Sequence, residues 1–356
     1  MLALPYGGLF EHPTYMPFAT GHDDDPAKIR AGIGGRLKSL LLRSMRPEDQ
    51  RAKAWRWLAQ IIRTWRPNIV HTFGLRSGSE FLGPVVDMIG AEALGRWVIQ
   101  LRGGSDLAFS HADPVDGPRL AALVARADAI VTDNLLNFRY LEDLGVRVPE
   151  GRTLIVPGTG GVDIDQLASQ WAIKPSERRL ILWPKAYESP WSKAVPVLEA
   201  LRIAWDRLGG CRIHVLAADD EVRQSIRLLP QGMIDAITVH SRIPRDEVIA
   251  MMREARVMLA PSLIDGTPNT MWEAMACGAV PIVSPLPTIT PIVEADRNVL
   301  FARNLYPEEI RAQLVRAMSD DDLVERISDE NLSVVRRLAD RAVVRPRLLA
   351  FYRSLL

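Results

Sequence analysis

From about residue 67 onward the sequence alternates short β-rich runs with stretches of helical periodicity, and no other feature constrains the fold as strongly. This alternation is typical of a doubly wound parallel sheet, because parallel strands need helical crossovers between them. The first series of runs reads RPNIVHTFG, RWVIQLRGG, ADAIVTDN and TLIVPGTGG. The second series reads RLILWP, CRIHVLA, AITVHSRIP, RVMLAPS, AVPIVSP and NVLFA. Turn-forming residues between 161 and 175 separate the two series, so the sequence predicts an α/β protein with two Rossmann-like domains facing across a cleft.

The length agrees with two domains, since 356 residues exceed one ordinary domain of roughly 100 to 200 residues. We expect an N-terminal domain over 1–165, a C-terminal domain over 175–335, and a final helix over 336–356 that could cross back to the first domain. The first seventy residues fit this scheme poorly, because only LALPYGG offers an opening strand and glycine-rich turn. Either the first domain is trimmed or its true start lies upstream.

Composition excludes several classes of protein. The chain is 47% hydrophobic and 24% charged, which is typical of a globular protein rather than a disordered one. No apolar run reaches the roughly 18 residues that cross a bilayer, and the N-terminus lacks the features of a secretory signal. A net charge of +1 argues against nucleic acid as a partner, and Cys211 and Cys277 lack the spacing of a metal site or disulfide framework. We therefore expect a cytoplasmic protein.

The segment from Lys28 to Arg66 is strongly basic, with eleven Lys or Arg residues against two acids. An apolar stripe at helical spacing runs along it through Trp55, Leu58, Ile62 and Trp65. Two interpretations remain open. Either this is a helix packed on its own sheet with a solvated basic face, or it contacts anionic lipid or a lipid-linked acceptor at the inner face of a membrane.

The most informative segment is RVMLAPSLIDGTPNTMWEAMACGAVPIVSP. A buried strand runs into a loop with Asp265 and Gly266, and Pro268 is suited to the first turn of a helix. The N-terminus of that helix favours an anionic ligand. Glu273 follows Asn269 by four residues, so the two lie on one helix face. We expect Glu273 to accept hydrogen bonds from a ribose, the helix start to face a diphosphate or sugar, and Asp265 to reach the sugar ring.

These residues carry a family resemblance. The segment resembles the signature of family 4 retaining glycosyltransferases (glycosyl transferases group 1, GT-B fold), in which two acids stand eight positions apart, here in the form D-G-x-P-N-T-x-x-E-A-M-A-C-G. RPNIVHTFG, ADAIVTDN, VPGTGGVD and IPRDEVIAMMREARVMLAPS resemble other segments of the family in the same order, so the likeness spans roughly residues 65 to 340.

The resemblance implies roles for individual residues. In the family the first acid contacts the donor sugar, the second binds the ribose, and an upstream basic pair neutralises the diphosphate; these positions are Asp265, Glu273, and Lys185 with Lys193 here. The pair departs from the family's usual Arg followed by a Lys, because Lys185 stands in place of the Arg and the loop to Lys193 is longer. Lys lacks the bidentate fork of Arg. The remaining expected donor-binding residues lie in the same loop and helix start: Gly266, Thr267, Pro268, Asn269 and Thr270.

On the acceptor side, Arg102 stands where the family often has a His, followed by Gly103, Gly104 and Asp106. Arg102 cannot act as a base near neutral pH, so it either clamps a phosphate or carboxylate or forms an ordinary ion pair with Asp106. His71 follows a predicted strand and either points into the cleft or is a satisfied strand-end histidine.

Two further motifs have weaker support. HDDDP at 22–26 contains the Asp-x-Asp spacing of metal-dependent glycosyltransferases but lacks flanking strands, which favours a solvated acidic turn. PGTGG at 157–161 resembles a phosphate loop but has no basic residue after it, which favours a turn near a domain hinge.

Together these observations predict a retaining, metal-independent transferase without a cofactor, which moves a hexose-type sugar from a nucleoside diphosphate to a hydroxyl of a glycan or lipid-linked acceptor. The family resemblance suggests surface polysaccharide or glycolipid assembly. One alternative is a GT-B-like partner protein that binds nucleotide or glycan without transferring it. Another is an enzyme of the same architecture that epimerises or hydrolyses a nucleotide sugar.

Overall fold

The computed structural model describes residues 2–4, 47–103, 105–147, 150–158, 160–168, 171 and 173–356. Four features of the sequence analysis therefore lie outside the described residues: the predicted opening turn at 5–8, the acidic motif at 22–26, the basic residues of 28–46, and Gly104.

The first domain is built on a parallel sheet whose strands pair in the order β1-β2-β3-β4-β5. Its strands are β1 (Leu2–Leu4), β2 (Ile69–Phe73), β3 (Arg96–Leu101), β4 (Ala129–Thr132) and β5 (Thr153–Ile155). Its helices are α1 (Pro47–Trp65), α2 (Glu80–Ile89), α3 (Ala91–Leu94), α4 (Ser105–Ala108), α5 (Asp116–Val124) and α6 (Leu136–Asp143), with a π-helical turn over Gly74–Ser79. The three central strands are buried along nearly their whole length and are mostly apolar, as expected when helices cover both faces of a parallel sheet.

The second domain is built on a parallel sheet whose strands pair in the order β11-β10-β9-β6-β7-β8. Its strands are β6 (Leu180–Trp183), β7 (Arg212–Val215), β8 (Ile237–Val239), β9 (Ala255–Ala260), β10 (Val280–Val283) and β11 (Leu300–Phe301). Its helices are α7 (Ile164–Ala168), α8 (Ala194–Ala204), α9 (Asp220–Ile226), α10 (Gln231–Ile234), α11 (Arg245–Glu254), α12 (Asn269–Ala276), α13 (Pro307–Ser319) and α14 (Asp321–Leu338). Short 3-10 turns occupy Pro175–Glu177 and Trp205–Arg207.

Each face of the second sheet has its own apolar core. Ile181 and Trp183 of β6 join the core on one face, whereas Leu180 and Leu182 join the core on the other. This alternation follows from the two-residue period of a strand. The predicted α/β fold with two Rossmann-like units is confirmed, and every strand that the sequence predicted from residue 67 onward is present.

The last helix, α15 (Arg341–Ser354), returns to the first domain. Val344 and Phe351 pack with Val98 and Val131 on one face of the first sheet. The two segments that cross between the domains are bonded to each other, since Val162 N–H donates to Ala339 O and Arg341 N–H donates to Val162 O, both at 2.8 Å.

The apolar stripe predicted on α1 holds for only part of its length. Leu58 and Ile62 are buried and Trp55 is half-buried, but Trp65 is 53% exposed. Trp65 is the last residue of α1, and the chain turns at Arg66, which has a φ of 47°, so the stripe is buried only along the earlier turns of the helix. Within the described residues, no helix has the length and hydropathy needed to cross a membrane.

Candidate functional site

The two acids of the signature lie where β9 leaves the sheet and α12 begins. β9 is buried up to its last residue, and α12 starts at Asn269 directly after Pro268, which has a φ of −66°. The carboxyl ends of parallel strands are where open α/β sheets hold ligands. Asp265 lies in the connecting loop and Glu273 one turn inside the helix, so both stand at this edge of the second sheet.

Asp265 is paired with Lys185. Lys185 follows β6, which is the neighbour of β9 in the sheet, and its Nζ lies 2.5 Å from Asp265 Oδ2. Both side chains are mostly covered, with 28% and 22% exposure respectively. Asp265 Oδ1 also accepts a hydrogen bond from Gly266 N–H at 2.9 Å, so the carboxylate is held in one orientation. The structure thus brings together one residue of the predicted basic pair and the first acid.

Glu273 is paired with Arg245, a residue that the sequence analysis missed. Arg245 is the first residue of α11, and its Nη2 lies 2.5 Å from Glu273 Oε1. Glu273 is 15% exposed and Arg245 is 56% exposed, so the carboxylate is the covered member of the pair. A basic residue at a helix start is an unusual position, since the helix dipole disfavours positive charge there. This unfavourable position of Arg245 was the feature of the sequence that could have indicated a functional role.

Lys193 stands apart from the Lys185–Asp265 pair. Its Nζ lies 3.4 Å from Glu188 Oε2, and its side chain is 41% exposed. Glu188 in turn accepts hydrogen bonds from the backbone N–H groups of Ala194 and Val195 at 2.7 and 2.8 Å. Glu188 therefore caps α8 and fixes the loop that carries both lysines, a role that the sequence analysis did not assign.

On the acceptor side, Asp106 is buried and holds two loops together. Its Oδ2 accepts hydrogen bonds from the backbone N–H groups of Leu75 at 3.1 Å and Arg102 at 2.7 Å. Burial raises the pKa of Asp106 to about 6, although these bonds and the charge of Arg102 oppose the shift. Asp106 thus positions the loop that contains Arg102 and Gly103.

The two domains meet directly at the signature loop. Thr267 Oγ1 donates to the carbonyl oxygen of Asp133, which follows β4, at 2.8 Å. A Cβ on Gly266 would overlap the Asp133 carboxylate and would lie 2.6 Å from the Cα of Gly103. Gly266 does not adopt a positive φ, so its backbone conformation does not require glycine. The close approach of Asp133 and Gly103 does, because it leaves no room for a Cβ.

Asp133 is a second site residue that the sequence analysis missed. Burial raises the pKa of its carboxyl group to about 6, the hydrogen bond from Asn134 opposes this shift, and the negative charge of Asp265 adds to it. The sequence did contain a feature that indicates Asp133, because this residue directly follows a buried strand, at the edge of the sheet where open α/β folds bind ligands.

His71 does not join these residues. It is the third residue of β2 and is 2% exposed, and its Nδ1 shares a hydrogen bond of 2.6 Å with Tyr352 Oη on α15. Burial lowers the pKa of His71 to about 4. The interpretation of His71 as an acceptor-side residue that points into the cleft is therefore corrected, because the side chain faces the last helix.

The glycine-rich motif at 157–161 lies at the crossing between the domains. Gly158 O accepts a hydrogen bond from Gln100 Nε2 at 3.0 Å, and a Cβ on Gly161 would overlap Ala339 O. A Cβ on Gly158 would lie 3.8 Å from Asn269 Nδ2, so this segment also passes close to the start of α12.

The described residues contain no group of three or more His, Cys, Asp or Glu side chains arranged to hold a metal ion. Cys211 and Cys277 are buried, and burial raises their thiol pKa values to about 11 and 12. Neither thiol is therefore available as a thiolate near neutral pH.

Three groups meet at this edge of the second sheet. The mostly covered carboxylate of Asp265 lies beside the ammonium group of Lys185, the N-terminus of α12 lies next to them, and the covered carboxylate of Glu273 follows one turn along that helix. An ammonium group and a helix N-terminus stabilise a polyanion, and a carboxylate accepts hydrogen bonds from hydroxyl groups. The arrangement is suited to a ligand that carries both phosphate and sugar hydroxyls.

The sequence and the fold were compared with known protein families and solved structures. Residues 179–320 match the family model described as glycosyl transferases group 1. A glycosyltransferase from Rickettsia africae ESF-5 is similar to the chain, with a TM-score of 0.62 and 14% identity over 88% of this chain and 83% of the other. Anabaena Alr3699/HepE in complex with UDP-glucose has a TM-score of 0.65 and 15% identity over 83% and 81%.

A trehalose-6-phosphate synthase, studied with bisubstrate glycomimetics for its glycosyltransfer with retention, has a TM-score of 0.67 and 15% identity over 88% of this chain and 80% of the other. No curated protein matches the sequence significantly. The described residues thus have the two-domain GT-B fold of these glycosyltransferases, and segment 179–320 matches the model of the glycosyl transferases group 1.

Proposed function

We propose that this protein is a retaining glycosyltransferase that moves a hexose-type sugar from a nucleoside diphosphate donor to a hydroxyl acceptor. The observation that carries the proposal is the pairing of Lys185 with Asp265 beside the start of α12, with Glu273 one turn further along. The matched family and the UDP-glucose complex of HepE support a nucleotide-sugar donor. The retention ascribed to trehalose-6-phosphate synthase supports a retaining mechanism.

In the proposed reaction, the bond between the anomeric carbon and the diphosphate breaks while the acceptor oxygen bonds to the same face of that carbon. The acceptor proton passes to the departing diphosphate. Lys185, Lys193 and the N-terminus of α12 stabilise the charge that grows on the diphosphate, which is where electrostatic catalysis acts most strongly. Asp265 faces the sugar and Glu273 accepts hydrogen bonds from the ribose.

The first domain supplies the acceptor side in this proposal. Asp106 fixes the loop with Arg102, whose guanidinium is suited to a phosphate or carboxylate of either substrate. Closure of the domains about residues 158–162 would exclude water and limit donor hydrolysis. The proposed reaction uses neither a metal ion nor a cofactor, and the acceptor is a glycan or a lipid-linked sugar of surface polysaccharide or glycolipid assembly, at the cytoplasmic face of a membrane.

The first test is thermal unfolding with a panel of nucleoside diphosphates and nucleotide sugars, without added metal. A ligand at a hundredfold over its Kd adds about 2.7 kcal/mol to the free energy of unfolding, which raises Tm visibly. Glu273→Ala should abolish this shift. Glu247→Ala, which removes an exposed acid from α11, is the matched control and should retain it.

The second test identifies the product. Incubation with the stabilising donor and candidate acceptors should yield a glycoside whose anomeric configuration, read by NMR, matches the donor. Donor binding without any product would favour the non-catalytic partner protein. An altered nucleotide sugar or free sugar would indicate epimerisation or hydrolysis instead, and a panel without any stabilising ligand would refute the donor site.

A further inference from the structure

A cavity lies at the edge of the first sheet that is opposite the candidate site. It is lined by residues that precede strands: Pro67 and Asn68 before β2, Gly95 before β3 and Asp128 before β4. These are the amino ends of the strands, whereas the candidate site is at the carboxyl ends. The cavity volume is about 1100 Å³, enough for a small organic ligand.

The lining of this cavity carries more positive than negative charge. Four arginines line it, Arg63, Arg66, Arg96 and Arg126, against the acids Glu92 and Asp128. Arg96 pairs with Asp128 at 2.8 Å, and Arg126 pairs with Asp87 outside the lining at 2.7 Å. Arg63 donates to the carbonyl oxygen of Met88 at 2.9 Å. Among the described residues, no carboxylate lies within ion-pair distance of Arg63 or Arg66.

Arg66 is placed at the cavity in an unusual backbone conformation. Its φ of 47° is in the left-handed region, directly after the last residue of α1. Helices often end with a residue in this conformation, but Gly or Asn is the common choice there, because a Cβ is unfavourable. The charge of an arginine is favourable at a helix C-terminus, but glycine would adopt this backbone conformation at lower cost.

We propose that this cavity is a binding site for a phosphate group, with Arg63 and Arg66 as the residues that contact it. Guanidinium groups bind phosphate through paired N–H donors, and two of them without a carboxylate partner suit a doubly charged phosphate monoester or a phosphodiester. The phosphate belongs either to a small soluble metabolite or to a lipid headgroup, and Trp65 beside Arg66 offers an exposed apolar surface to a lipid.

The test has two arms that separate these sources. Isothermal titration calorimetry with glycerol 1-phosphate measures binding of a soluble phosphate. Flotation with vesicles of phosphatidylglycerol, compared with phosphatidylcholine alone, measures binding of a lipid phosphate. Arg63→Gln and Arg66→Gly are each expected to weaken phosphate binding about tenfold or more, since each removes a charged group that would donate hydrogen bonds to the phosphate.

The choice of Arg66→Gly keeps a loss of binding distinct from a loss of folding. Glycine adopts the left-handed conformation readily, so the Tm of this variant should be no lower than that of the wild type. The matched control is Arg207→Gln with Arg227→Gln, which removes two exposed arginines far along the chain from the cavity. A second control is Glu273→Ala, which should retain phosphate binding, so this test stands whether or not the proposed donor site is correct.

Binding of glycerol 1-phosphate that is lost in both arginine variants supports a soluble ligand. Flotation on phosphatidylglycerol alone that is lost in the same variants supports a lipid headgroup. The proposal is overturned if the wild type binds in neither arm, if both arginine variants bind as well as the wild type, or if the Arg207 and Arg227 control loses binding equally.

Discussion

Asp133 of the first domain lies so close to Gly266 of the second that any side chain on Gly266 would overlap its carboxylate. The contact joins the end of β4 to the signature loop between β9 and α12. Since Thr267 also donates to Asp133 O, the loop that carries Asp265 is held against the first domain by two successive residues. The geometry of the proposed donor site therefore depends on how the two domains meet.

Gly266→Ala should reduce activity without preventing folding. The new methyl group would push the loop away from Asp133 and Gly103, and a displacement of about 1 Å at a reacting group can lower kcat/KM roughly 100-fold. Steady-state kinetics with the donor identified by thermal shift would measure the loss. Gly232→Ala is the control, because a Cβ at Gly232 would meet no atom within 4 Å. Equal activity of the two variants would contradict the close contact.

Asp133→Asn should stabilise the protein at neutral pH and leave its stability unchanged at acidic pH. The pKa of Asp133 rises from 3.8 to about 6 in the folded protein, so the folded state binds the proton more tightly than the unfolded state. This contribution to stability is complete below pH 4 and is lost as pH rises through 6. Asparagine mimics the protonated acid, so the variant should match the wild type at pH 3.5 and exceed it by up to about 3 kcal/mol at pH 7.5.

Urea unfolding of wild type and Asp133→Asn across this pH range measures the difference. Asp206→Asn, at an exposed position, serves as the control and should show no such trend. A difference between Asp133→Asn and wild type that stays constant from pH 3.5 to 7.5 would refute the raised pKa.

Lys185→Ala should impair transfer strongly. The substitution removes the ammonium group 2.5 Å from Asp265, so neither that carboxylate nor the proposed diphosphate keeps the positive charge beside it. Loss of one such stabilising group typically lowers kcat about 100- to 1000-fold. Lys185→Arg should restore part of the rate because the charge returns, and the exposed Lys174→Ala should behave as wild type. An unchanged kcat in Lys185→Ala would exclude Lys185 from the reaction.

Tyr352→Phe should destabilise the protein and leave transfer unaffected. It removes the hydroxyl that shares a hydrogen bond with His71 Nδ1, and an unpaired buried polar group costs about 1 to 3 kcal/mol. Because burial lowers the pKa of His71 to about 4, His71 stays neutral in the folded protein, and its contribution to stability is lost as pH falls from 6.5 toward 4. Thermal unfolding and initial rates measure the two effects, with Tyr306→Phe, at a 48% exposed tyrosine, as the control. A lower kcat for Tyr352→Phe, measured at a temperature where the variant is fully folded, would contradict the conclusion that His71 is a buried residue outside the site.

The sequence predicted the strands and the signature loop because both are local patterns. Apolar runs such as VMLAP are buried on both faces and are legible without knowledge of their neighbours. Arg245 and Asp133 were missed because their partners, Glu273 and Gly266, are distant in sequence and become neighbours only through the sheet order and the domain contact. The position of His71 stayed open in the sequence analysis for a related reason. Its position in a strand is local, but its hydrogen-bond partner Tyr352 comes 281 residues later.

The return of α15 to the first sheet has a consequence for synthesis of the protein. Val344 and Phe351 cover Val98 and Val131, yet the ribosome must complete the whole second domain before it makes them. During that interval the face of the first sheet that contains Val98 and Val131 lacks the cover that α15 provides, although domains often fold one after another from the N-terminus. The first domain to be synthesised is therefore the last to be finished, and a chaperone that binds exposed apolar strands would have its longest opportunity there.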